Sequence, residues 1–248
     1  MTKRKCISQC ISDLIEDRAH GLRARLRDLP RPLRVLIACE ESGIECAAYR
    51  RLGCEAYHCD ILPRQRGIDK GCFISGDVIP LLRPGFHRFV TVDGRPHYVP
   101  GWDLIVAHPP CTYLCRLSGV HMLRGGVLNE SRFRKMVEAR LFFQRCLDAD
   151  SYYLCVENPV PLEMACLPPP DTYVEPCWFG DRFTKKTCYW LKHLPPLTPE
   201  IVHPFPKSLV ASSRGKYRSK TSAYLAAFQS IQWTEVILSD IQRNIYQL

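Results

Sequence analysis

Leu33-Arg34-Val35-Leu36-Ile37-Ala38-Cys39-Glu40-Glu41-Ser42-Gly43 decides the fold. Leu33 to Cys39 is a short apolar run, suited to a parallel strand buried on both faces. Glu40-Glu41-Ser42-Gly43 breaks the run and makes a turn. A helix follows from about Ile44 to Leu52, and Gly53 caps it. Cys54-Glu55-Ala56-Tyr57-His58-Cys59-Asp60 then reads as a second strand that ends on an acid. Together these form a βαβ unit of about 30 residues. A turn after the first strand and an acid closing the second follow the logic of a nucleotide-binding crevice. Such a crevice opens at the carboxyl ends of parallel strands and uses the acid to hold a ribose.

The same alternation continues toward the C-terminus. Gly76-Asp77-Val78 closes a short third element. Residues 89–99 predict a hairpin turning at Asp93-Gly94, decorating the surface. Trp102-Asp103-Leu104-Ile105-Val106-Ala107 is another buried strand. Residues 129–148 carry helical spacing at Phe133, Val137, Leu141 and Leu147, with Asn129 as N-cap. Tyr152-Tyr153-Leu154-Cys155-Val156 is a strand running into Glu157-Asn158-Pro159. A proline-rich stretch reaches Pro206, a helix spans about Thr221 to Trp233, and a second helix is expected after it. On the N-terminal side, residues 5–28 predict an amphipathic helix with Ile7, Ile11, Leu14, Ile15, Leu22 and Leu26 on one stripe, ended by Pro30 and Pro32. Arg18, Arg23, Arg25 and Arg27 lie off that stripe. The fold class is therefore α/β, a doubly wound, mostly parallel sheet. The expected organisation is an N-terminal helix (1–32), a main domain (33–235) and a helical tail (236–248).

Composition narrows the class. The chain has 248 residues, 46% hydrophobic and 24% charged, enough for one full α/β core. No apolar run approaches the ~18 residues of a membrane span. No secretory signal is visible either, so a cytoplasmic location is expected and no membrane partner. A formal net charge of +9 suits a polyanionic partner. The 14 cysteines form neither a secreted disulfide framework nor a zinc ribbon. Cys6 with Cys10, and Cys54 with Cys59 beside His58, lack zinc-motif spacing, so no metal is expected.

The chemistry concentrates where strands end. After Asp103-Leu104-Ile105-Val106-Ala107 come His108-Pro109-Pro110-Cys111. Two prolines stiffen the strand exit and so lower the entropy lost in fixing a thiol there. Read alone, Cys111 is either a nucleophile or a packed turn residue. Glu157-Asn158 also follows a strand, which brings a carboxyl group to the same sheet edge. A thiolate and a carboxyl group in one crevice suit attack on an electron-poor pyrimidine: the sulfur adds to C6 while the acid engages N3, and C5 becomes nucleophilic.

These motifs, in this order, resemble the cytosine-C5 DNA methyltransferase family, and more closely its short phage and prophage members. The resemblance spans about residues 33–235. It implies a Rossmann-like methyltransferase fold that uses S-adenosylmethionine, with Pro110-Cys111 as the nucleophile loop and Glu157-Asn158 as the pair that engages cytosine N3. It implies cofactor contacts from Cys39, Glu40, Glu41, Ser42 and Gly43, from Asp60 and Ile61, from Asp77 and Val78 after Gly76, and from His108. Lys185 and Lys186 before Thr187-Cys188-Tyr189-Trp190-Leu191 resemble the family's basic stretch that positions the target base. Arg218-Ser219-Lys220-Thr221, then Gln232-Trp233, resemble the phage-type C-terminal pattern. DNA is the implied partner, with RNA open because the family has a tRNA-modifying branch.

Two departures stand out. The cofactor turn holds one glycine, Gly43, and two acids, Glu40 and Glu41, which suit a cationic sulfonium or ammonium and repel a phosphate. The target-recognition domain of larger members is reduced to residues 192–217, too short for its own core. Arg214, Lys216 and Arg218, with His193, His203 and Lys207, give that stretch phosphate-binding character without base specificity. The loop Leu117–Val127 is a second place to read bases. Two other readings stay open: C5 modification of another pyrimidine substrate, and a non-catalytic nucleotide- or protein-binding relative.

Overall fold

A computed structural model of the chain describes residues 7–208 and 221–243. Its main sheet has seven strands: β1 (Arg34–Ala38), β2 (Glu55–Asp60), β3 (Phe73–Ser75), β4 (Trp102–Ala107), β5 (Ser151–Pro159), β6 (Thr172–Val174) and β7 (Thr187–Lys192). Their order is β3-β2-β1-β4-β5-β7-β6. The five strands from β3 to β5 pair in parallel. β7 is antiparallel to both β5 and β6. This is the doubly wound, mostly parallel sheet expected from the sequence. The order reverses beside β1, so the chain steps from β1 toward β2 and later from β4 away from it, which opens a crevice at the carboxyl ends of β1 and β4.

Four helices cover the sheet: α1 (Ile7–Arg27), α2 (Ile44–Leu52), α3 (Glu130–Leu147) and α4 (Ala223–Arg243). Strand alternation separates them. Trp190 of β7 meets Phe143 of α3 edge to face, while its neighbour Tyr189 turns to Trp233 and Gln229 of α4. α3 and α4 therefore lie on opposite faces, and α1 and α2 pack with α4. Burial on both faces explains why β1 and β4 are continuous apolar runs: Val35 to Ala38 and Leu104 to Ala107 are all fully buried.

The N-terminal helix buries Ile11, Ala19, Leu22 and Leu26, but Ile7 and Leu14 of the expected stripe face solvent. Three of its four arginines bond within the chain. Arg18 pairs with Glu200 and Glu235, Arg23 with Glu16, and Arg25 bonds Gln242. α1 is thus a packed helix. The hairpin turns at Asp93-Gly94 as expected, pairing His87–Val90 with Pro96–Val99.

Two expectations are corrected. α3 starts at its Asn129 cap, whose side chain accepts from the Arg132 amide, but its buried residues are Met136, Phe143 and Cys146. Phe133, Val137 and Leu141 stand on the exposed side. Two stripes at helical spacing coexist on α3, and the one that includes Phe143 wins because it meets Trp190. Second, there is no break after Trp233: α4 runs unbroken to Arg243, since residues 223–243 contain neither Gly nor Pro. The 235/236 boundary falls inside this helix.

The described residues of the reduced region after β7 form no core of their own, and Leu194 and Leu197 join the main one. His193 stacks on Tyr152 at 4.0 Å, the His203 amide donates to the Cys177 carbonyl, and Lys207–Ser208 pairs with Phe183–Thr184. Arg214, Lys216 and Arg218 lie outside the described residues, as does Cys6. No helix among the described residues is long and apolar enough to cross a membrane.

Candidate functional site

A cleft of about 580 Å³ opens at the carboxyl ends of β1, β2, β4 and β5. Most of the residues singled out in the sequence meet there. Cys39, Glu40, Glu41 and Ser42 line it after β1, Asp60 and Ile61 after β2, and Asp77 and Val78 after β3. His108, Pro110 and Cys111 come in from the end of β4, Glu157 from β5, and Lys185 from the approach to β7. Among the described residues that line it, the mouth on the β1–β3 side carries Glu40, Glu41, Asp60 and Asp77 and no Lys or Arg; Lys185 stands on the β5–β7 side. The cleft is thus acidic at one end and basic at the other.

The turn after β1 is built by strain and by a carboxylate. Cys39 adopts φ +62°, a left-handed conformation rarely taken by a non-glycine residue. Glu40 then turns inward. Its carboxylate accepts from the Ser42 hydroxyl and from the amides of Glu45 and Cys46, at the first turn of α2. This corrects the expectation that both acids of the turn are available to a cation: Glu40 caps a helix, where the dipole favours a negative charge. Burial nevertheless raises its pKa, and the nearby Glu45 adds to the rise. Glu41 stays in the cleft wall, where its carboxylate accepts from the Gln65 side chain.

Gly43 does not line the cleft but lies under it. It has φ +64°, and a Cβ there would sit 2.6 Å from Ile68 and 3.1 Å from the His58 ring. Gly43→Ala is therefore expected to destabilise the chain by about 1–2 kcal/mol from the left-handed conformation alone, with the clash added. Urea unfolding checks this, and an unchanged midpoint would refute it.

Asp60 accepts from the Leu62 amide at 2.7 Å, and burial raises its pKa. Asp77 accepts from the Ile79 amide. Both are fixed at strand ends by short Asx turns.

The register of β4 with β5, Ala107 opposite Val156, carries His108 next to Glu157. His108 Nδ1 lies 2.5 Å from Glu157, and Nε2 lies 3.1 Å from Glu45, which in turn accepts from Gln229 of α4. The His108 amide donates to the Ala38 carbonyl. Both ring nitrogens thus face carboxylates. Burial works against a charge on His108, but Glu45 and Glu157 outweigh it and push its pKa well above the ordinary value. Burial likewise opposes charge on Glu157, but His108 and then Lys185 outweigh it and hold the carboxyl below its usual range. At neutral pH the pair is an imidazolium on a carboxylate.

Asn158 points to the other side of β5. It is fully buried and donates to the Pro109 carbonyl at 3.2 Å, which pins the proline loop from behind. Lys186 turns away from the cleft, with Nζ 3.9 Å from the Tyr173 ring centroid.

Cys111 begins a tight turn in which the amides of Leu114 and Cys115 donate to its carbonyl. Its thiol is paired with that of Cys115. Cys115 stands at the start of the short helical turn Arg116–His121. Hydrogen bonding from Cys111, with nearby amides of Leu117 and Ser118, brings Cys115 down to about 6. The proton stays on Cys111, whose pKa is raised by that pairing, by burial and by Glu157, while Lys185 opposes the rise. The following loop exposes Leu117, Val120, Leu123 and Val127.

Glu45, Gln229 and Cys115 were not singled out in the sequence. A glutamate in the first turn of a helix looks like an ordinary dipole partner, and nothing local links residue 45 to residue 108.

Comparison with protein families returns no match, and comparison with curated proteins returns none. Among solved structures, a proposed DNA modification methyltransferase encoded within an E. coli prophage is similar at 14% identity and a TM-score of 0.36, over 70% of this chain and 53% of that one. The chain spans about half the length of that structure. A likeness at this level bears on neither activity nor substrate.

Proposed function

We propose that this chain transfers a methyl group from S-adenosylmethionine to C5 of cytosine in DNA. The observation that carries the reading is the meeting of Cys111 and Glu157 in one cleft, with Lys185 beside both.

The cofactor side suits the ligand. Glu41, Asp60 and Asp77, with no Lys or Arg beside them among the described lining residues, favour a sulfonium and an ammonium and disfavour phosphates. Asp60 ends β2, the position from which an acid binds ribose hydroxyls. S-adenosylmethionine, when bound, supplies an electrophilic methyl group.

The chain supplies the rest. Cys111 passes its proton to the sulfur of its hydrogen-bond partner Cys115 and adds through its own sulfur to C6 of the ring, which makes C5 nucleophilic. Negative charge builds toward N3, where Glu157 stands ready to pass on a proton drawn from His108. Lys185 favours both the thiolate and the carboxylate. After C5 is methylated, loss of its proton expels the Cys111 thiolate. Asn158 positions the loop through Pro109. A duplex substrate must flip its cytosine to reach this depth. The exposed apolar loop after Cys115 is the natural surface to replace it in the stack, with phosphates met by the basic residues of 207–220.

The test is nucleoside mass spectrometry after incubation of the full chain with labelled cofactor and, separately, duplex DNA, single-stranded DNA, RNA and free nucleotides. Labelled 5-methylcytosine in DNA is expected. Label in RNA or free nucleotides alone moves the substrate, and no label anywhere despite cofactor binding sinks the reading.

A further inference from the structure

Three metal-ligating side chains meet apart from the cleft. Cys46 comes from α2, His58 from β2 and Cys72 from the turn into β3, and their ligand atoms lie within 4.8 Å of one another. All three are buried, with Cys46 and His58 at 0% exposure and Cys72 at 3%. None lines the cleft.

Strand alternation explains the arrangement. Cys59 faces the Gly76 carbonyl on one side of β2, so His58 faces the other, beneath α2. His58 Nδ1 bonds the Glu40 carbonyl at 2.7 Å. That bond places the proton on Nδ1 and leaves the lone pair on Nε2, the outer-shell arrangement common to metal-bound histidine. Nε2 is buried and has no hydrogen-bond partner. Gly43 is kept free of a side chain on that same edge of the ring. Two thiols and an imidazole nitrogen thus converge in the interior.

We propose that Cys46, His58 and Cys72 bind one thiophilic d10 metal ion, Zn(II) or Cu(I). Two sulfurs and one imidazole suit both ions. Binding deprotonates both thiols, and the protons leave to solvent while His58 binds neutral through Nε2. Cu(I) is satisfied by three donors. Zn(II) takes a fourth, and the Ala56 and Asp69 carbonyls flank the sulfurs at 3.4 and 3.5 Å. The bound ion ties α2, β2 and β3 together directly under the Glu40–Gly43 turn. This inference does not rest on the proposed reaction.

The test uses the full chain, reduced and freed of metal. Zn(II) is titrated against a chromophoric chelator and Cu(I) against bicinchoninate, and Co(II) reports thiolate coordination by its charge-transfer absorption. One equivalent of one ion is expected to bind. Cys46→Ser and Cys72→Ser should each weaken it more than about 100-fold, beyond the usual effect of an outer-shell change. Cys10→Ser and Cys166→Ser, both at exposed thiols, should not. If the ligand variants fail to fold, X-ray absorption of the loaded wild-type chain decides, with two sulfurs and one nitrogen expected. Absence of stoichiometric binding by either ion, binding unchanged in both serine variants, a different ligand set, or a metal-free Cys46–Cys72 disulfide in the isolated chain would each overturn the proposal.

Discussion

Cys111→Ala is expected to reduce methyl transfer to cytosine by about 10⁴-fold or more while leaving affinity for S-adenosylmethionine nearly unchanged. The size follows from the role: without the sulfur there is no C6 adduct, and C5 stays a poor nucleophile. The sparing of the cofactor follows from geometry, because the acidic end of the cleft is built by Glu41, Asp60 and Asp77 on other strands. Trapping on 5-fluorocytosine DNA should vanish in parallel. The pH dependence carries a second expectation. Cys115, burial and Glu157 all hold the proton on Cys111. Reactivity toward an alkylating agent should therefore rise with pH into the alkaline range, as the thiolate fraction grows. Cys115→Ala removes the partner sulfur, so the rise should move to lower pH. Turnover by Cys111→Ala within about tenfold of wild type would rule out a covalent mechanism at this residue.

The sheet was legible because its central strands are buried on both faces. Val35 to Ala38 and Leu104 to Ala107 admit no other reading than parallel interior strands, and each is followed by a turn at the carboxyl edge. Once those two strands are adjacent, as they are, Glu40, His108 and Cys111 must share an edge. Glu157 joins them through the β4–β5 register. Helix faces were less legible. On α3, periodicity alone cannot choose between the stripe through Val137 and the stripe through Phe143, since both recur at helical spacing. The partner, Trp190, is far along the chain and decides it.

The site was legible by residue type but not by direction. A strand end shows which residues reach the crevice and not where their polar atoms point. Glu40 reads as an acid for a cation, yet it is drawn to the nearest unpaired amides, those opening α2. Asn158 follows Glu157 by one position in β5 and so turns to the other face, while Lys186 leaves the cleft for the Tyr173 ring. Long-range partners left no local trace. Cys46, His58 and Cys72 sit on three elements with no motif spacing, while the nearby Cys54 and Cys59, which invite the pairing in sequence, face elsewhere.

His108 is where the fold and the proposed chemistry meet, and His108→Ala should lower stability by about 3–5 kcal/mol near neutral pH. Three acids surround it: the buried Glu45 and the part-buried Glu157 in direct contact, and the buried Glu40 behind them. Removing the imidazolium takes away the cation that Glu45 and Glu157 share and leaves only Lys185 facing Glu157. The sign of the pH effect is fixed by both partners. The folded pKa of His108 is raised above its unfolded value, so its contribution is complete below about pH 6.5 and is lost only as pH climbs through the folded value. Glu157 is held below its unfolded value, so its contribution exists above about pH 4.5 and fades as pH falls through the folded value. The two windows overlap across neutral pH, where the variant should be weakest relative to wild type. Acidification protonates the stranded carboxyls in the variant and erodes the ion pair in the wild type, so the gap should close below about pH 4. Guanidinium unfolding of both chains at neutral and acidic pH measures it. A gap below about 1 kcal/mol at neutral pH would place the buried acids in their neutral form. That outcome would also deprive Glu157 of the proton store from which it is proposed to serve cytosine N3.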